Sequence, residues 1–180
     1  MRLLLERWAS PISPLLLVTD NDGALRALDF ADHEARMHRL LRDHYGSFTL
    51  REHAAPVSLT RALDAYFDGS LEALEDVQTM TAGTPFQREV WSALRAIPAG
   101  TTTTYGQLAA SLGRAGASRA VGMANGSNPI AIVVPCHRVI GANGTLTGYG
   151  GGLPRKQWLL EHETRFAPVA ASARAPGYLL

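Results

Sequence analysis

The strongest constraint on this chain of 180 residues is a punctuation mark near its middle, Thr81-Ala82-Gly83-Thr84-Pro85-Phe86-Gln87. A glycine, then a capping threonine, a proline at the first helical position and a glutamine three residues after the cap together mark a helix start. It separates two halves of different pattern and opposite charge. Residues 1–82 carry 8 arginines against 13 acidic residues, net −5. Residues 83–180 carry 9 basic residues against 3 acidic ones (Glu89, Glu161 and Glu163), net +6. A chain of this length holds one ordinary domain or two small ones. The split favours two modules, the second facing something anionic, with drift in composition as the plainer alternative.

The first half reads as strands followed by helices. LLLERWAS, PLLLVTD and ALRALDF are short apolar runs, the last two separated by the turn signal Asn21-Asp22-Gly23. A helix is expected from Asp32 to about His44, with Met37, Leu40 and Leu41 on one side. A second covers SLTRALDAYF and stops at Asp68-Gly69. His33, His38, His44 and His53 read as solvated residues, since no thiol or acidic partner completes a metal site around them. Residues 70–83 read as a linker.

The second half reads as short helices. The first runs through REVWSALRAI and buries Phe86, Val90, Leu94 and Ile97. Thr104-Tyr105-Gly106-Gln107 is a capping box that opens YGQLAASL, and after Gly113 a short turn leads into SRAVGMANGS. Two short helices around a glycine-containing turn are a helix-turn-helix candidate. The small residues Ala120, Gly122, Ala124 and Gly126 let the second helix lie close to another surface, and Arg119 stands near its start. Close helix packing explains the small residues equally well, but not the arginine. IAIVV reads as a buried strand or extended run leading to Pro135-Cys136-His137-Arg138, and Pro154 opens a last helix, RKQWLLEHE. The Ala/Pro-rich tail, residues 167–180, has no core-forming pattern.

One cysteine in the chain excludes an internal disulfide and the paired-cysteine zinc spacings. The amino terminus is interrupted by Glu6, Arg7, Pro11 and Pro14 and lacks the apolar core of a signal peptide. With 46% hydrophobic residues, the expectation is a soluble, cytoplasmic protein with a real core. Cys136 becomes a nucleophile if a nearby base, cation or helix start stabilises its thiolate against a free pKa of about 8.5. It is otherwise a buried structural thiol, the commoner fate. His137 need not touch the sulfur, since adjacent side chains diverge, and a water can carry the proton. Glu161 or Glu163 could orient the imidazole. A cysteine peptidase would separate Cys and His widely and show its own context around the nucleophile, which is absent.

PCHRVIG, preceded by RAVGMANGSNPIAIVV and followed by GYGGGLPRKQWLLEHE, resembles the O6-alkylguanine-DNA alkyltransferase family, in particular its Ogt-type bacterial members. GTPFQREVWSALRAIPAGTTTTYGQLA is similar to the start of the same domain, so the likeness covers residues 83–163 almost continuously. The fold it implies is α+β: a small amino-terminal antiparallel sheet with helices, then a mainly helical domain with a helix-turn-helix and a short strand carrying the cysteine. The implied domains are 1–82 (α/β, ribonuclease-H-like) and 83–166 (DNA-binding alkyltransferase).

The resemblance also implies roles. Cys136 is the nucleophile and methyl acceptor, His137 takes its proton through water, and Glu163 orients His137. Tyr105 donates to the leaving base, and Asn128 braces the turn before the active site. Arg119 fills the stack left by a flipped nucleotide, with Ala117, Ser118, Ala120 and Gly122 against the minor groove. Val139, Tyr149 and Gly150 line the pocket. The implied partner is double-stranded DNA carrying O6-alkylguanine or O4-alkylthymine, bound by a monomer, with cooperative binding along DNA compatible. No cofactor, metal or membrane is implied. Gly150 stands where some relatives carry a hydrogen-bonding side chain, which shifts selectivity toward bulkier alkyl groups, and Thr164 replaces a frequent glycine.

Overall fold

The structure, a computed structural model, describes residues 1–168. The predicted tail from residue 169 onward lies outside the described residues. Two compact units form: Met1–Thr84 with Pro129–Val133, and Pro85–Asn128 with the chain from Val134. No helix among the described residues is long and apolar enough to cross a membrane.

In the first unit the strands are β1 (Arg2–Trp8), β2 (Leu15–Thr19), β3 (Leu25–Phe30) and β4 (Thr49–Glu52), in the order β3-β2-β1-β4. β1, β2 and β3 pair antiparallel, but β4 runs parallel to β1, so the sheet is mixed rather than wholly antiparallel. The Asn21-Asp22-Gly23 turn forms as expected: Asp20 Oδ1 accepts the amides of Asp22 and Ala24, both at 3.0 Å, and Gly23 has φ 84°. All five residues of β2 are buried, as befits a strand covered on both faces.

On one face Leu3, Leu5, Leu16, Val18 and Ala27 pack with Met37 and Leu41 of α1 (Glu34–Tyr45). Trp8 has the opposite parity on β1 and stacks at 6.0 Å on Phe67 of α2 (Val57–Phe67), which places α2 on the other face. The expected linker is largely structured. Leu71–Leu74 forms a 3₁₀ turn, and Leu25 donates to Gln78 O at 2.9 Å while accepting from Met80 N at 3.0 Å. Farther along the same edge of β3, Leu28 donates to Pro129 O at 3.0 Å and accepts from Ala131 N at 2.8 Å. Two short passing segments thus occupy an edge that would otherwise offer unpaired amides.

The second unit contains α3 (Pro85–Arg95), β5 (Thr103–Thr104), α4 (Tyr105–Ser111), α5 (Ser118–Gly126), β6 (Val139–Ile140) and α6 (Leu153–Phe166). The predicted capping box is present: Thr104 Oγ1 accepts from Gln107 N at 3.2 Å, and Thr104 N donates to Gln107 Oε1 at 2.9 Å. Phe86 and Ile97, expected in the core, are half-buried; Trp91 takes their place and donates to Ala124 O of α5 at 2.9 Å. Gly113 (φ 69°) ends α4 and Gly116 (φ 88°) shapes the turn into α5, completing the helix-turn-helix. β5 leads straight into α4, and β6 leads straight out of the cysteine segment. Their parallel pairing, Thr104 against Ile140, draws those two segments together.

Candidate active site

Residues 130–134, expected as a buried strand or extended run, are buried but turn instead. Val133 N donates to Ala131 O at 2.8 Å across Ile132, whose φ is 68°. This is the rarer, strained kind of γ-turn, and a β-branched residue there costs about 1–3 kcal/mol. A second such turn follows at once: Cys136 N donates to Val134 O at 2.8 Å across Pro135, at φ −81° and ψ 65°, the relaxed inverse form. Cys136 then heads a single 3₁₀ turn, Cys136–Arg138, so the strand follows the cysteine rather than delivering it.

Cys136 is 6% exposed. The buried side chain of Asn128 donates through Nδ2 to its Sγ at 3.1 Å and to Val134 O at 2.8 Å. Asn125 Nδ2 donates to Cys136 O at 3.4 Å. A donor held against sulfur favours the thiolate over the thiol. His137 is fully buried, with Nε2 at 2.8 Å from Glu163 Oε1, while its Nδ1 has no hydrogen-bond partner among the described residues. Burial pushes the imidazole pKa down against the opposing pull of Glu163, so the ring is neutral. Beside a carboxylate, Nε2 carries the proton and Nδ1 keeps an open lone pair.

Glu163, on α6, is the hub. Its Oε2 accepts from Arg138 Nε at 2.9 Å and Gly100 N at 3.2 Å, and its Oε1 also accepts from Arg138 Nη2 at 2.8 Å. Burial alone would raise its pKa, but His137 and Arg138 outweigh it and hold the carboxyl well below the usual range. Arg138 spans the cluster and donates its remaining arm to Ile97 O.

Beside this cluster, Tyr105 at the start of α4 donates to Thr147 O at 3.4 Å. Burial, and then the negative charge of Cys136, raise its pKa, so the phenol remains a donor. Lys156, fully buried on α6, donates to Val139 O at 2.6 Å and Thr147 O at 2.8 Å. It ties the loop after β6 to β6 itself, and that loop carries the half-buried Tyr149 and Gly150. Burial lowers its pKa to about 8.

The structure therefore brings Cys136 to Asn128, His137 to Glu163, and Tyr105 to the Thr147–Gly150 loop. Ser118, Arg119 and Ala120 occupy the outer face of α5, with Ala117 and Gly122 half-buried beside them. Glu161, the alternative partner for His137, is exposed and accepts from Gln157 instead. Arg138 as the second partner of Glu163, Asn125 and Lys156 were not anticipated. For Lys156 a signal existed: it is the only lysine in the chain, where every other strong base is arginine.

The second unit thus combines a helix-turn-helix with one buried thiol, an amide donor against its sulfur and an imidazole–carboxylate pair, the architecture of a DNA-binding domain built around a single cysteine. Residues 85–165 match the family described as 6-O-methylguanine DNA methyltransferase, DNA binding domain. A methylated-DNA–protein-cysteine methyltransferase of Salmonella typhimurium is 56% identical over 165 residues, covering 91% of this chain and 96% of the relative. The Mycobacterium tuberculosis OGT in complex with DNA superposes with a TM-score of 0.75 at 44% identity, over 94% of this chain and 96% of that one. The O6-methylguanine-DNA methyltransferase of Pyrococcus kodakaraensis superposes at 0.71 with 27% identity, over 89% and 98%. The chain belongs to the methylated-DNA–protein-cysteine methyltransferase family.

Proposed function

We propose that this chain repairs DNA by moving the alkyl group from O6 of guanine, and from O4 of thymine, onto the sulfur of Cys136. The observation that carries this reading is the buried Cys136 thiol, receiving the Asn128 amide at 3.1 Å directly ahead of an imidazole oriented by Glu163. The proton of the thiol passes through water to the open Nδ1 of His137, and Glu163 stabilises the imidazolium that results. The thiolate attacks the sp³ carbon; the S–C bond forms as the C–O6 bond breaks, and the electron pair leaves on the oxygen. Tyr105, kept protonated, donates to the departing base. The thioether has no leaving-group route back, and the chain has no second cysteine to exchange with it. Each molecule therefore acts once.

Residues 83–166 form the DNA-binding alkyltransferase module and 1–82 its companion domain. The module works as a monomer without cofactor or metal. The outer face of α5 enters the minor groove, the damaged nucleotide turns out into the pocket of Val139, Tyr149 and Gly150, and Arg119 fills its place. Poor pairing of the alkylated base lowers the few kcal/mol that extrusion requires. Phosphate contacts supply affinity without sequence preference. The test is intact-protein mass after incubation with O6-methylguanine duplex. One methylene should be gained, mapped to Cys136, with no gain in Cys136→Ser and no turnover beyond one equivalent. An unmodified protein that still binds the duplex would overturn the transfer reading.

A further inference from the structure

The outer face of α5 carries one residue that neither the fold nor the transfer chemistry uses. Met123 is 74% exposed, the most exposed large hydrophobic side chain among the described residues. It lies four residues after Arg119, hence on the same helix face about 6 Å farther along the axis. Gly126, three residues on, is exposed and a Cβ added there would meet nothing within 4 Å, while the half-buried Gly122 turns toward the Tyr105 ring. The inward face of α5 is a separate surface, with Val121, Ala124 and Asn125 buried. A thioether raised from a floor of small residues beside a guanidinium is an apolar probe.

We propose that Met123 is an apolar wedge that packs into the minor groove beside Arg119 and partly unstacks the neighbouring base step, holding the duplex open while the damaged nucleotide is outside it. This rests on the DNA-repair reading above. Several observations select DNA as the occupant over another apolar surface. The residues around Met123 are an arginine and small side chains, not further hydrophobics, and the half of the sequence that carries α5 has net charge +6 from the counts given above. Groove-binding proteins use Met, with Leu, Ile, Phe and Pro, to wedge base steps. Methionine is unbranched and polarizable, so it follows an irregular surface of base edge and sugar without a fixed geometry.

The experiment compares repair rates on O6-methylguanine in duplex, in single-stranded oligonucleotide and as the free alkylated base, for wild type, Met123→Ala, Met123→Leu and Arg119→Ala. The duplex-to-free-base ratio should fall about tenfold in Met123→Ala, the scale set by removing one buried Met side chain. Met123→Leu should lose less than Met123→Ala, since the swap keeps apolar character and nearly the same volume. The loss on single strands should be much smaller than on duplex, because there is no stacked step to open. The wedge is overturned if Met123→Ala keeps the wild-type ratio while wild type still methylates Cys136. It is equally overturned by equal losses on all three substrates, which would assign Met123 to the integrity of the fold or of the site and not to the duplex. Failure of wild type itself to take up methyl would sink the transfer reading instead, and is seen in the same assay.

Discussion

Each unit buries a carboxylate against an arginine, and the two carboxylates behave in opposite ways. In the first unit Asp29, 1% exposed, accepts from Arg36 Nη1 at 2.7 Å and from the Phe30 amide at 2.9 Å. Burial dominates there, and its pKa is raised. In the second unit Glu163 is still more buried, yet its pKa is lowered, because His137 and a two-pronged Arg138 converge on it. The number of charged and polar donors decides whether burial or attraction wins. Asp29 is a structural concession at the end of a strand. Glu163 is held toward its anionic form, which is what the proposed proton relay through His137 would ask of it.

The largest effect should come from removing the anion. Glu163→Ala leaves His137 and Arg138 buried without their shared partner, a loss on the order of 3–5 kcal/mol. Asp29→Ala should cost less, about 1–2 kcal/mol, since the Arg36 side chain, 15% exposed, can turn to solvent. Urea unfolding followed by circular dichroism measures both. An Asp29→Ala loss as large as that of Glu163→Ala would break the comparison.

A smaller but sharper effect lies in the acid range. Glu163 has a folded pKa below its unfolded value, so its stabilisation is complete above about 4.5 and is lost as pH falls through the folded value. Asp29 has the reverse sign: its folded pKa is raised, so it favours the fold below about 3.8 and that benefit is lost as pH rises. Between pH 5 and 3, Glu163→Gln should flatten the acid decline of the unfolding free energy, and Asp29→Asn should steepen it. Slopes that change in the same direction would show that the two sites do not differ as described.

Much of this was legible in local pattern. The Thr104 capping box, the Asn21–Gly23 turn and the helix-turn-helix spacing each depend on residues within a few positions of one another, and the structure has them where the sequence puts them. What was not legible depends on partners far along the chain. IAIVV reads as a buried strand or extended run because an apolar run carries no period. Its actual shape is set where Pro129 and Ala131 bond to Leu28, with Ile132 bent to φ 68° between Ala131 and Val133. β4 went unread because Thr49–Glu52 is polar and largely exposed, a strand defined by its pairing with β1 rather than by its own alternation. Arg138 directly follows Cys136 and His137 along the chain, but only the fold shows that it shares Glu163 with His137.

Lys156 gives the smallest predicted effect and tests the rule with the opposite charge. It is fully buried like Glu163, but its hydrogen-bond partners are two carbonyls, Val139 O and Thr147 O. With no carboxylate bonded to it, burial should win, and its pKa does fall from 10.5 to about 8. For a base lowered on folding, the unfolded chain binds more protons between those values, so stability rises with pH across that window and is lost as pH falls through about 8. Because both carbonyl bonds survive in the neutral amine, the loop stays tied to β6 throughout. Wild type should therefore gain on the order of 1 kcal/mol between pH 8 and 9 relative to Lys156→Gln, whose curve carries no such group. A wild-type curve parallel to that of Lys156→Gln would mean that the amine is held charged by something other than its two carbonyls, and that donor count alone does not set the sign.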